Sequence, residues 1–204
     1  MNNANVKLSK TELSLVTDAA VILTKNNIIA KVYELFGALS EELQKLALDN
    51  SAILPPEARA VSPKIYKGEQ YLGLPYVMLD YPRYYSGKDV IAVRCLFWWG
   101  NFFSITLHLS GKFRSFYETA LRNWIKQHGN NNWFVCVHND AWQHHFGPDN
   151  YQPLPAGDEN EFDETLLGGR EFIKLAKRIP LEQWDSAIDF FTAEYRTLLR
   201  MFEP

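Results

Sequence analysis

The sequence predicts an α+β fold with helices near both ends and an antiparallel sheet between them. Three observations carry this expectation. Residues 8–49 and 181–202 place apolar side chains at helical spacing. Residues 90–99 (VIAVRCLFWW) and 102–109 (FFSITLHL) are apolar, aromatic and β-branched runs flanking Gly100-Asn101. Strands grouped in one block, rather than alternating with helices, favour an antiparallel sheet covered by helices. The expectation is an N-terminal helix pair, about four or five strands around a central hairpin 90–109, and helices 111–128 and 181–202 packed on the sheet.

The N-terminal helix pair starts at a capping box, Ser9 with Glu12, with Leu8 and Leu13 as a hydrophobic staple. Leu13, Val16, Ala20 and Leu23 form one stripe. The phase then slips at Asn26-Asn27, and Ile28, Val32, Leu35, Phe36, Leu39, Leu43 and Leu46 form another. A one-residue slip turns the apolar face by about 100°, which predicts a break or sharp bend at Asn26-Asn27. Gly37 inside the second helix suggests a close packing contact. Residues 50–63, with Pro55, Pro56 and Pro63, read as the loop joining the helical segment 1–49 to the sheet-and-helix core 64–204 of a single domain.

Residues 71–79 read as a strand whose Pro75 suggests an edge position or a late start. Residues 80–89 (DYPRYYSGKD) read as a turn-rich loop. The Gly-first pair Gly100-Asn101 predicts a two-residue type II′ turn. That register sets Trp99, Phe97, Cys95 and Val93 opposite Phe102, Ser104, Thr106 and His108 on one mixed face. The other face, apolar apart from Arg94, is expected under a helix. Ser110 is the expected cap of a helix to about His128, with Phe113, Phe116, Tyr117, Ala120, Leu121, Trp124 and Ile125 on its apolar side and Gly129 closing it. Residues 132–138 read as a strand, 139–169 as irregular, 170–179 as a strand, and the chain from Leu181 as the last helix.

Composition narrows the function classes. The 204 residues are 47% apolar and 14% aromatic, with a net charge of −3. Such a chain is too apolar for disorder and offers no basic field for nucleic acid. The polar start MNNANVKLSK is not a signal core, and no apolar run reaches the ~20 residues that span a bilayer. The expectation is therefore a soluble cytoplasmic protein, with Cys95 and Cys136 reduced, that binds neither nucleic acid nor membrane.

No catalytic spacing stands out. There is no G-x-S-x-G elbow, HExxH or CxxC, and Ser110-Gly111-Lys112 lacks the rest of a P-loop. The acidic run from Asp158 to Glu164 lacks the Gly and Glu that a calcium loop requires. Metal candidates are weak: His108, Cys136, His138 and His144, with the looser group His138, Asp140, His144 and His145. No metal or cofactor is expected. The ligand-binding candidates are Arg83, Tyr84, Tyr85, Trp99, Phe102, Ser104, Thr106 and His108. Rings supply buried area while Arg and a few hydroxyls orient a bound group. The bland alternatives are Tyr rings folded onto the sheet and a core face with paired polar groups.

The leading functional expectation is a non-catalytic binding domain for a small molecule or a protein, using an aromatic pocket. The alternative is a hydrolase-like small-molecule enzyme with a His-based or metal-assisted site. A third is a homodimer burying the rings near Trp98-Trp99.

Overall fold

A computed structural model describes residues 6–128, 131–154 and 169–203. They form a mixed α+β fold: five helices, one short 3₁₀ helix and one open sheet. The helices are α1 (Lys10–Thr17), α2 (Ala19–Asp49), α3 (Pro56–Arg59), α4 (Gly111–His128) and α5 (Ala187–Met201), the last preceded by the 3₁₀ helix Leu181–Ser186. The strands are β1 (Lys64–Tyr71), β2 (Leu74–Ser86), β3 (Asp89–Trp98), β4 (Phe102–Ser110), β5 (Phe134–Cys136), β6 (Tyr151–Pro153) and β7 (Phe172–Pro180). The sheet order is β1-β2-β3-β4-β7-β5-β6, and every pairing is antiparallel.

Seven strands replace the expected four or five. The polar sequence KIYKGEQY makes the edge strand β1, so an apolar criterion misses it. The segment 80–89 is not a loop, because β2 runs through it to Ser86. Its turn is the pair Gly87-Lys88, with φ +58° at Gly87. Pro75 lies near the start of β2, which is flanked by β1 and β3 rather than at an edge.

One face of the sheet carries Val77, Leu79, Ile91, Val93, Cys95, Phe97, Phe103, Ile105, Leu107 and Leu109, all buried. Helices α2, α4 and α5 cover it through Val32, Phe36, Leu39, Tyr117, Leu121, Phe191, Tyr195 and Leu198. This is the main core. Helix α2 buries the predicted second stripe, but 26–27 are uninterrupted helix. The break falls at Asp18, whose Oδ1 accepts from the Ala20 N–H at 2.9 Å, and α1 meets α2 at 63°. The phase slip marks where α2 leaves the body, because residues before Ile28 have no core face to follow. The capping box is present, with Ser9 N–H donating to Glu12 Oε2 at 2.7 Å. No single helix is long and apolar enough to cross a membrane, and α1 with α2 passes that test only as the bent pair.

Three smaller expectations are corrected. A Cβ on Gly37 would meet no neighbour within 4 Å, so no close packing explains that glycine. Phe116 points to solvent instead of the core. The α4 N-terminus takes its acceptor from Asp89 Oδ1, which receives the Lys112 N–H at 2.9 Å, while Ser110 Oγ donates to the Lys88 carbonyl. Gly129 and the acidic run 158–164 lie outside the described residues.

Candidate functional site

The 90–109 hairpin forms, but one residue out of the expected register. Trp98 faces Phe102, Leu96 faces Ser104, Arg94 faces Thr106 and Ala92 faces His108. Three residues turn the chain, Trp99-Gly100-Asn101, with Gly100 at φ +70° and the Asn101 N–H bonded to the Trp98 carbonyl. A one-residue slip moves a whole strand to the other face. Phe97, Cys95 and Val93 therefore join the main core, and Trp99 packs against it too. Cys95 does not share a face with His108. The mixed face exists, but its β3 members are Arg94, Leu96 and Trp98.

That second face runs across the sheet. A register shift between Asp80 and Arg83 puts Asp80, Arg83 and Tyr85 on it and sends Tyr84 to the core side, against Phe113. From β7 come Phe172, Lys174, Ala176 and Arg178. A strap, residues 137–150, lies over this face. Its anchors are specific. The Tyr71 hydroxyl accepts the N–H groups of His144 and His145 at 2.6 and 3.0 Å. Lys174 Nζ donates to the Gln143 carbonyl. Phe146 packs on Phe102, Phe134 and Tyr151. Asn150 Nδ2 ties back to the His145 carbonyl at 2.5 Å.

Under the strap lies a buried charged cluster. Arg94 grips Asp80 through two bonds, Nε to Oδ1 at 2.7 Å and Nη2 to Oδ2 at 2.9 Å. The Tyr66 and Tyr85 hydroxyls lie 3.3 and 3.4 Å from Asp80 Oδ2. Burial drives both phenols to higher pKa, Tyr85 to about 12, so they are neutral hydrogen-bonding groups. His144 Nε2 is 3.4 Å from Arg94 Nη1. Lys174 is 2% exposed, and its ammonium meets the Gln143 carbonyl and the Tyr151 ring 5.1 Å away; among the described residues it makes no ion pair. Burial brings its ammonium down to about 8. His108, opposite Lys174, is held down to about 3, first by burial and then by Lys174 and Arg94. His144 is held well below its usual range by burial and the same cations.

The strap leaves one end of this face open. A cleft of about 530 Å³ lies there, lined by His108, Trp142, Phe172, Lys88, Asp140 and Glu171 among others. The His108 ring meets Trp142 and Phe172 edge-on, with centroids at 5.7 and 5.6 Å. Trp142 is 51% exposed; it is held by the Arg94 guanidinium 5.5 Å from its ring and by Tyr85 at 6.1 Å. The turn that presents it is closed by Asp140, which accepts the Trp142 N–H and the Gln143 amide.

Of the sequence-predicted candidates, Arg83, Tyr85, Phe102, Ser104, Thr106 and His108 share this face. Only His108 lines the cleft. Arg83 donates to the Ser62 carbonyl at 3.0 Å. Trp99 and Tyr84 belong to the other side. Among the described residues, no three His, Cys, Asp or Glu side chains gather as a metal site. His138 accepts the Asp140 N–H, and Cys136 lies against Asn150. The residues missed were Asp80, Arg94, Lys174 and Trp142. The first three had a signal: each is a lone charge inside an apolar strand run (VMLDY, AVRCL, FIKLA). Comparison with protein-family models, with curated proteins and with solved structures finds no match to this chain.

Proposed function

We propose that this protein is a non-catalytic binding domain for a small, planar, uncharged ligand, and that the cleft beside Trp142 is where it binds. The observation that carries the reading is the triad of rings His108, Trp142 and Phe172 around an open cleft of about 530 Å³. Clefts of this size with aromatic walls and a few polar groups suit ring-containing ligands. Trp142 is half exposed and so has a free surface for stacking. His108 stays neutral down to about pH 3, so it offers one ring nitrogen as donor and the other as acceptor. An imidazole so hard to protonate is a hydrogen-bonding group rather than a base near neutrality. Lys88 lines the cleft together with Asp140 and Glu171, so both signs of charge are present, which favours an uncharged ligand.

A panel of planar heterocycles screened by thermal shift tests this. A ligand at 100 times its Kd adds about 2.7 kcal/mol of stability. The expected result is a rise in unfolding temperature for the wild type that Trp142→Ala abolishes. A panel that shifts neither protein at millimolar concentration, or shifts both equally, overturns the reading.

A further inference from the structure

Among the described residues, nothing covers the apolar side chains of the N-terminal arm. Every residue from Val6 to Thr24 is exposed. Leu13, Leu15, Val16, Val21, Ile22 and Leu23 stand 41–69% exposed, and Val6 and Leu8 precede them. The arm is nonetheless well specified: Ser9 and Glu12 cap α1, and Asp18 caps α2. An eight-residue helix burying nothing is not stable in water by itself. The elbow is held to the body through α2 and the Lys25–Glu69 ion pair, so it projects as a fixed shape.

We infer that this arm is a homodimerisation element, in which the α1–α2 elbows of two copies pack on each other about a two-fold axis. Area is the first argument. The eight apolar residues together expose on the order of 800 Å² over the arm, about the share each partner brings to a standard interface. A two-fold contact uses one patch twice and closes, so no further surface is needed. Chemistry argues against lipid as the occupant. Asp18 lies in the middle of the apolar stretch, where a carboxylate in hydrocarbon is costly. Residues 6–27 hold no Trp or Tyr to anchor at a membrane surface. Three lysines against two carboxylates give little pull toward anionic headgroups. In a dimer Asp18 keeps its partner within the chain, the Ala20 N–H.

Light scattering on the full chain tests this, with Val16→Glu/Ile22→Glu as the disrupting variant and Phe116→Glu, on α4, as the control. Glu at exposed helical positions leaves the fold intact. The wild type and Phe116→Glu are expected at twice the 23.6 kDa chain mass at tens of micromolar, and the double variant at 23.6 kDa with its circular dichroism unchanged. A wild type that stays monomeric at hundreds of micromolar overturns the inference. So does a dimer that survives the double substitution or is lost in Phe116→Glu. Flotation of the wild type with phosphatidylcholine–phosphatidylserine vesicles, lost in the double variant, also overturns it by assigning the arm to lipid. None of these outcomes depends on the cleft.

Discussion

Replacing Asp80 by Ala should be among the most damaging single changes to this fold. Among the described residues its carboxylate is the one buried acid, and it pairs with Arg94, whose guanidinium also lies 3.4 Å from His144, on a face covered by the strap. Removing it strands the Arg94 guanidinium, whose side chain is 11% exposed, beside a buried ammonium. Breaking one side of a buried pair costs about 3–5 kcal/mol. Domains of this kind have roughly 5–15 kcal/mol in total. Replacing both partners with apolar groups of similar size, Asp80→Leu with Arg94→Met, should instead fall near the wild type, because the desolvation of two charges is removed along with their attraction. Urea denaturation followed by tryptophan fluorescence reads all three proteins. The expected pattern is a large loss for Asp80→Ala, most of it recovered in the double variant. A loss below about 1 kcal/mol for Asp80→Ala would mean that the carboxylate is solvated like a surface pair, and the strap does not seal this face.

Two further outcomes follow from the same geometry. His108 in the folded chain takes a proton only near pH 3, against an ordinary value of 6.5, so stability is full above pH 6.5 and drains away between 6.5 and 3 as the unfolded chain binds a proton the folded one refuses. His144 adds to that slope in the same direction. His108→Asn should therefore flatten acid unfolding by on the order of a few kcal/mol; an unchanged acid slope would show that His108 is solvated. At the β3–β4 turn, Gly100→Ala should cost about 1 kcal/mol, because Gly100 sits at φ +70° where a Cβ is disfavoured although space for it exists. Thermal unfolding measures that cost, and a neutral result would imply a turn of different conformation.

The fold was most legible where one face of an element is buried. Residues 29–47 of α2 and the last helix carry stripes that the core enforces. It was least legible where no such face exists. The polar edge strand β1 and the three-residue β6 are held by ladder bonds and by single tyrosines, Tyr66, Tyr71 and Tyr151, which leave no apolar period. The hairpin shows how little separates a right site from a wrong one. Gly100-Asn101 reads as a two-residue turn, and a third residue, Trp99, exchanged the faces of β3 and carried Arg94 to the site and Cys95 to the core. His108 and Thr106 stayed on the mixed face because that assignment depended only on β4. Arg94 was visible as the single charge spoiling an apolar face. Its partner Asp80 lay in a segment read as loop, so the pair could not be formed from spacing. Trp142 sits in an irregular strap, and only the three-dimensional path of that strap brings it over Arg94 and beside His108.

In the proposed function a neutral His108 imidazole, between Trp142 and Phe172, receives a planar ligand. Imidazole proton NMR tests it directly, by following the His108 ring against pH and then against the heterocycle with the largest thermal shift. His108 should not titrate between pH 5 and 8, and its resonance should move on ligand addition in the wild type and not in Trp142→Ala. A His108 that titrates with a midpoint near 6.5, or one unmoved while the ligand binds, would contradict it.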